Sequence, residues 1–206
     1  SVLGTLEAML DGIWDMDKER LSSCYDEIIR IKRLIGSIED LSKVENDNVL
    51  LHKESFDLSK LLRTLLSNFE SEFVTKNISV DYNQQPIYLY ADQDKISQVF
   101  RNLISNAIKY SDNGGKVHIH ITEYPENVEI RIKDSGIGMS DADLPHIFER
   151  FYRADKSRNR ETGGVGIGLT ITKAIIEAHD GTIDARSKLG EGTEFMIVLP
   201  KKRTHI

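Results

Sequence analysis

DQDKISQVFRNLISNAIKYS (residues 92–111) carries two patterns at once. Asp92 is a residue type that caps helix N-termini, and Ile96, Val99, Leu103 and Ala107 follow at steps of three and four. The spacing predicts a helix through about Lys109 with those side chains turned inward. Asn102, Asn106 and Lys109, at spacings of four and three, share the opposite face. An amide oxygen is a hard ligand of the kind Mg²⁺ accepts when phosphates and water complete its shell, and an ammonium is a point charge for phosphate oxygens. Alone, such a face is a solvated surface. The sequence that follows gives it another meaning.

Alternating runs at 117–122 and 128–133 predict a hairpin around Pro125 to Asn127. The second run leads into Asp134-Ser135-Gly136-Ile137-Gly138, a carboxylate at a strand end with two glycines one residue apart. A carboxylate only accepts hydrogen bonds, so it suits the exocyclic amino group of adenine, and the glycines let backbone approach a ligand. By itself the motif is also an ordinary Asp-Gly turn. Gly163-Gly164-Val165-Gly166-Ile167-Gly168-Leu169 then runs straight into a predicted helix, 167–179, whose first N–H groups and positive dipole end form a site for phosphate. No GxxxxGK[ST] occurs and HRD and DFG are missing, so P-loop and protein-kinase designs do not fit; no GxGxxG follows a strand, which weakens a dinucleotide-binding reading. Between about Gly138 and Gly164 the chain is charged and irregular, long for a connection in a compact domain, which suggests a functional lid.

Toward the N-terminus, Asp57 is expected to cap a helix carrying Leu58, Leu61, Leu62, Leu65, Leu66, Phe69 and Phe73 on its buried side, after a short apolar stretch from Val49 to His52. Strand-like runs follow at 78–82 and 87–90, and two more, 182–187 and 193–199, close the chain. Asn46-Asp47-Asn48 is a polar break and the expected domain boundary. Before it, residues 3–10 end one helix, Asp11-Gly12 breaks it, and Asp17 caps a second over about 18–45. That helix has a coiled-coil-like seam at Leu21, Cys24, Ile28, Ile31, Ile35 and Ile38. A helical hairpin (1–46) therefore precedes an α+β domain (47–206), a mixed sheet covered on one face by helices. The hairpin's short first arm suggests that the sequence begins inside a longer helix.

The 206 residues allow one full domain with an attachment, since domains run to about 100–150 residues. The 39% hydrophobic and 29% charged residues suit a globular chain, and the net charge of −6 argues against a nucleic-acid partner. One cysteine, Cys24, permits no internal disulfide; it fits the seam as inert core, and a cytoplasmic site follows. No run approaches the roughly 18 apolar residues of a membrane span, so any anchor of a parent protein lies outside this sequence.

Four motifs agree with one family. NLISNAIKYS (102–111) resembles the N box of sensor histidine kinases, DSGIG (134–138) their first glycine box, IFERFYR (147–153) their F box and GGVGIGL (163–169) their second glycine box. Order and spacing match over nearly the whole chain. The resemblance implies a two-layer α/β sandwich, the Bergerat ATP-binding fold, behind a hairpin that dimerises into a four-helix bundle. It implies that Asn106 ligates Mg²⁺ with Asn102 supporting, that Lys109 contacts phosphate, and that Tyr110 lines the pocket. Asp134 would bind the adenine amino group, with Gly136, Ile137 and Gly138 around it and Thr193 of GTEF reaching adenine through water. Arg153 would face the phosphates, and Gly164, Val165, Gly166, Ile167, Gly168 and Leu169 would supply hinge and N–H groups. Val165 replaces the family's usual threonine, removing a hydroxyl but no backbone donor. Phe148, Phe151 and Tyr152 either pack in the core or seat the lid on the hairpin.

The family's phosphoacceptor histidine and the glutamate beside it, which assists as base, belong to an HELRTPL-like box on the first hairpin helix. The resemblance places that box upstream of Ser1. His52, His118, His120, His146, His179 and His205 lack its context and are expected to be structural or surface residues, so the chain is expected to bind ATP without phosphorylating itself. In a membrane-anchored, homodimeric whole protein, phosphate would pass from ATP to histidine and on to an aspartate of a response regulator receiver domain. Two readings compete with a histidine kinase: a nucleotide-binding switch that phosphorylates nothing, and a serine kinase of the anti-sigma type, which ordinarily lacks the seam.

Overall fold

The computed structural model describes residues 1–45, 51–82, 85–154 and 166–201, with the side chains at 30, 33, 34 and 37–45 excepted. The expected boundary at 46–48, the first half of the apolar stretch from Val49, the side chain of seam residue Ile38, and Gly164 and Val165 lie outside what is described, as do part of the expected lid and His205. The chain divides into two compact units, Ser1–Lys43 and Val44–Ile206.

In the first unit, α1 (Val2–Leu10) starts at Ser1, whose hydroxyl accepts the N–H of Gly4. It ends at Asp11, and Gly12 turns the chain in the left-handed region at φ +71°. Asp17 then caps α2 (Lys18–Glu45), its Oδ1 accepting the N–H of Arg20 at 2.8 Å. The Arg20 guanidinium pairs with the Asp17 carboxylate and lies 5.6 Å from the Trp14 ring. Of the seam, Cys24 is buried, as is Met9 on α1. Leu21, Ile28, Ile31 and Ile35 are 43–53% exposed, so within this unit the apolar stripe is largely uncovered.

The second unit begins with β1 (Lys53–Asp57), α3 (Leu58–Asn68), α4 (Glu70–Thr75), β2 (Ser79–Tyr82) and β3 (Tyr88–Asp92). It continues through α5 (Gln93–Tyr110), β4 (Lys116–Glu123), β5 (Asn127–Asp134), a 3₁₀ turn (Leu144–His146), α6 (Gly168–Ala178), β6 (Thr182–Lys188) and β7 (Gly192–Pro200). The main sheet runs β2-β4-β5-β7-β6, with β2 parallel to β4 and the other pairs antiparallel; β1 and β3 form a separate antiparallel ribbon. Period-two alternation sets the sheet's faces: Val117, Ile119 and Ile121 of β4 and Val128, Ile130 and Ile132 of β5 are buried, while His118, His120 and Lys133 are exposed. Helices cover the buried face. Ile96, Val99, Phe100, Leu103 and Ile104 of α5 are fully buried, each stabilising the fold by about 1.5–3 kcal/mol. This is the mixed sheet under helices that the sequence predicts.

Two elements differ from expectation. The helix capped by Asp57 does not run on to Phe73: it stops at Phe69 (φ −99°, ψ 7°), and α4 restarts at Glu70. The restart keeps Phe73 buried, while Phe69 itself is only half-covered. Strand β1 has no sequence counterpart, because only Phe56 of its five residues is buried and its ladder comes from distant β3.

Candidate functional site

Helix α5 is the structural centre of the predicted site residues. Asp92 caps it through Oδ1, which accepts the N–H of Lys95 at 3.1 Å. At its far end the ammonium of Lys76 donates to the carbonyls of Ile108 (2.7 Å), Lys109 (3.1 Å) and Ser111 (3.1 Å), satisfying acceptors that a helix C-terminus leaves open. Asn102 and Asn106 are half-buried. The Asn102 amide donates to Thr172 Oγ1 of α6 at 2.8 Å. Lys109 Nζ sits 4.9 Å from the centre of the Tyr110 ring, which is 38% exposed.

The first glycine stretch is seated on the end of this helix. The N–H of Ile137 donates to Tyr110 O at 3.1 Å, and a Cβ on Gly136 would fall 2.3 Å from the same oxygen, so no side chain fits there. Gly138 has φ +63°, and a Cβ on it would lie 2.0 Å from Lys188 O. Asp134, 5% exposed, is oriented by two N–H donors on one oxygen: Oδ1 accepts from Gly136 at 2.9 Å and from Thr193 at 3.2 Å. Oδ2 thereby remains the acceptor for an incoming donor. Burial pushes the Asp134 carboxyl above the usual carboxylate range, and the two N–H bonds pull against that shift.

Thr193 is buried and its hydroxyl lies 2.9 Å from Ser187 Oγ across the β6–β7 pair. Ser187 Oγ accepts the N–H of Met139 at 2.8 Å and donates its one proton to Gly192 O at 2.8 Å. The Thr193 hydroxyl must then be the donor to Ser187, which leaves its own lone pairs to accept from a ligand or a water. Ser187 and Thr172 are absent from the sequence reading. A serine at a strand end and a threonine within a helix carry no signal until the fold brings their partners near.

The second glycine stretch is described from Gly166. Gly166 (φ +77°) accepts the N–H of Phe151, itself at φ +61° and 60% exposed. Gly168 opens α6 against α5: a Cβ there would fall 2.4 Å from Asn102 Oδ1. Ile167 is buried, Leu169 is half-buried, and among the described residues no side chain caps α6, in contrast to the aspartate caps of α3 and α5. The N–H groups of its first turn have no partner within the helix, the arrangement that receives an anion. Arg153 is half-buried just beyond the F-box phenylalanines. Ser140 donates to Asp143 Oδ2 at 2.5 Å and Tyr152 donates to Oδ1 at 2.6 Å, which together hold the Asp143 carboxyl below its usual range. Thr170 Oγ1 donates to Phe148 O at 3.0 Å, tying the F box to α6.

Among the described residues no group of three or more His, Cys, Asp or Glu side chains could hold a metal. The oxygen donors facing this region are amides, which suit a Mg²⁺ that takes most of its shell from phosphate and water, and not an ion held by protein alone. No described helix is long and apolar enough to cross a membrane.

Residues 91–203 match the family described as histidine kinase-, DNA gyrase B-, and HSP90-like ATPase. The sensor protein kinase WalK of Staphylococcus aureus is 38% identical over 200 residues, 95% of this chain and 48% of that protein. In strain JH9 the same alignment spans 33% of WalK, so the chain spans a third to a half of the curated relatives it matches. The histidine kinase AdeS of Acinetobacter baumannii superposes with a TM-score of 0.80 at 27% identity, over 98% of this chain and 94% of that one. The mycobacterial sensor histidine kinase MprB does so at 0.64 and 25%, over 74% and 99%. With the N box, the first glycine box, the F box and the described end of the second glycine box carried on a helix-covered mixed sheet, the chain belongs to the histidine kinase-, DNA gyrase B- and HSP90-like ATPases, as the ATP-binding catalytic domain of a sensor histidine kinase.

Proposed function

We propose that ATP binds with Mg²⁺ between α5 and the two glycine stretches, and that the whole protein transfers the γ-phosphate to a histidine on a dimerisation helix and then to an aspartate of a response regulator receiver domain. The observation that carries this reading is the seating of both stretches on one helix, through Ile137 N–H to Tyr110 O and through Gly168 against Asn102. Asp134 Oδ2 accepts from the adenine amino group, Thr193 reaches adenine through a water, and Gly136, Ile137, Gly138 and Tyr110 form the walls. Asn106 offers its oxygen to the metal with Asn102 beside it. Lys109, Arg153 and the backbone from Gly166 through Ile167 and Gly168 to Leu169 face the phosphates. Mg²⁺ supplies charge neutralisation at the phosphates; the protein's own part is positioning and electrostatics.

The uncovered stripe at Leu21, Ile28, Ile31 and Ile35 supports a homodimer through residues 1–46, read as part of a dimerisation and phosphoacceptor hairpin, with 47–206 as the catalytic domain. The sensor-kinase relatives support a cytoplasmic place for this portion within a membrane-anchored protein. None of the described histidines is the acceptor: His179 is enclosed in the core, and His52, His118, His120 and His146 lie outside the hairpin unit.

Calorimetric titration with a nonhydrolysable ATP analogue, with and without Mg²⁺, tests the site. Binding that strengthens with Mg²⁺ in the wild type and loses that gain in Asn106→Ala is expected; equal affinity in the two proteins would remove the metal assignment. Labelled ATP given to a protein of the relatives' full length should leave acid-labile label. Alkali-labile label would instead indicate a serine kinase, and none a nucleotide-binding switch.

A further inference from the structure

Of the histidines described, only His179 is buried, at 3% exposure, and the nucleotide reading does not use it. It follows α6 as its C-cap. Its Nδ1 lies 2.7 Å from Ile175 O, and its Nε2 accepts the backbone N–H of Asp92 at 3.0 Å. A carbonyl needs a donor and an N–H needs an acceptor, so only the neutral ring with its proton on Nδ1 makes both bonds. Asp92 is spent in three directions. Its N–H goes to His179, its Oδ1 caps α5, and its Oδ2 accepts the N–H of His52 at 3.0 Å, just before β1.

This junction is one of two pins between antiparallel helices. Asp92 at the start of α5 meets His179 at the end of α6, and Asn102, ten residues or about 15 Å along α5, meets Thr172 and Gly168. Pinned twice, α6 cannot slide, and its uncapped N-terminus stays opposite Asn102 and Asn106. We infer that His179 is a positioning residue for the nucleotide site: its neutral ring, locked to the N-cap of α5, fixes the register that brings the first turn of α6 to the amide face. This rests on the nucleotide reading above and adds to it a residue far from the ligand.

A second proton would sit on Nε2 and point at the Asp92 N–H, replacing an acceptor with a donor in a closed site. The charged groups around the ring are Lys53 on β1, Asp92 between β3 and α5, and Asp180 after α6; Lys53 Nζ and Asp180 Oδ2 are 3.7 Å apart. Burial foremost, and Lys53 with it, push the His179 pKa below its ordinary value, against the Ile175 carbonyl and the carboxylates of Asp92 and Asp180. The pin is therefore intact at neutral pH and is lost as pH falls through that lowered value.

The test compares the pH dependence of affinity for Mg²⁺ with a nonhydrolysable ATP analogue in the full chain, His179→Gln and His179→Leu. Glutamine can accept from Asp92 N–H and donate to Ile175 O without titrating. It should match the wild type at pH 7.5 and on acidification lose only what protonation of Asp134 and of the nucleotide phosphates costs both proteins, while the wild type weakens by about tenfold more, the value of one hydrogen bond. His179→Leu should be about tenfold weaker at every pH. Superimposable profiles for the wild type and His179→Gln, or full affinity in His179→Leu beside a lowered melting temperature, would leave His179 as core filling only. If His179→Leu does not fold, the glutamine comparison still decides. A wild-type chain that binds no nucleotide at pH 7.5 would overturn the nucleotide reading and this inference together, whereas binding with matching profiles overturns the positioning role alone.

Discussion

In the proposed nucleotide site, Asp134→Asn separates what the buried carboxylate contributes to binding from what it costs the fold. The substituted amide must keep its oxygen where Oδ1 now accepts from Gly136 and Thr193, because turning it over would set its NH₂ against both N–H groups. The NH₂ then takes the place of Oδ2 and faces the adenine amino group, donor against donor. A hydrogen bond to a charged acceptor is worth about 1.5–3 kcal/mol and an unpaired buried donor costs about 1–3 kcal/mol. Together they weaken ATP-analogue binding by roughly 3–5 kcal/mol, or two to three and a half powers of ten. Guanine presents a carbonyl acceptor at that position, so the ratio of guanine to adenine affinity should rise in the variant.

Without nucleotide the same substitution should not harm the fold. A carboxyl whose pKa is raised by folding contributes stability below its unfolded pKa and loses it as pH rises through the folded value, so at neutral pH the ionised Asp134 is a net cost. Asparagine removes the charge and keeps both hydrogen bonds. The ligand-free variant should melt at or above the wild-type temperature at pH 7.5, and the difference should shrink as acid protonates Asp134. Calorimetry with adenine and guanine analogues, alongside thermal melting at neutral and acid pH, measures both halves. Unchanged adenine affinity in a folded variant would refute the orientation assigned to this carboxylate, and a large loss of ligand-free stability would refute its energetic role.

Gly168→Ala puts a methyl 2.4 Å from Asn102 Oδ1 and 2.8 Å from its Nδ2, so the amide must swing and release Thr172. Analogue affinity should fall by about tenfold and stability by about 1–2 kcal/mol, and a variant with wild-type binding would show that this contact does not position α6. Lys76→Met strips one donor from three carbonyls at the end of α5 and removes a cation from the negative end of its dipole. A stability loss of about 2 kcal/mol should lower the melting temperature by roughly 4–8 °C, with Lys76→Arg partly restoring it; an unchanged melting temperature would disprove the capping role.

Readability from sequence followed the range of the force responsible. Strands β4 and β5 were legible because each alternates Val or Ile with polar residues along its own length, and α5 because its cap and apolar stripe lie within 18 residues. Strand β1 was not, since Lys-Glu-Ser-Phe-Asp buries one side chain and owes its hydrogen bonds to β3. The break at Phe69 was hidden for the opposite reason: the leucine stripe and Phe73 keep helical spacing through it, so periodicity alone predicts one continuous helix. The seam on α2 shows the limit of periodicity in another way. It marks a stripe that seeks burial, yet among its described side chains only Cys24 achieves it within the unit.

The same distinction runs through the site. Asparagines, glycines and an aspartate announce themselves by residue type and local spacing, because in the proposed site each offers an oxygen, an N–H or an absent side chain to the nucleotide. The groups that aim them do not. Thr172, Ser187, Lys76 and His179 act on partners 70, 48, 32 and 87 positions away, and each uses a side chain that is common for unrelated reasons. Their effect nevertheless converges on α5, which is pinned to α6 by His179 and Thr172, capped at its end by Lys76, and bonded through Tyr110 O to the loop that carries Asp134. A helix held at so many points transmits a disturbance at one end to ligands at the other. Substitutions at these silent positions should therefore alter nucleotide affinity without touching the nucleotide, which no motif comparison would lead one to expect.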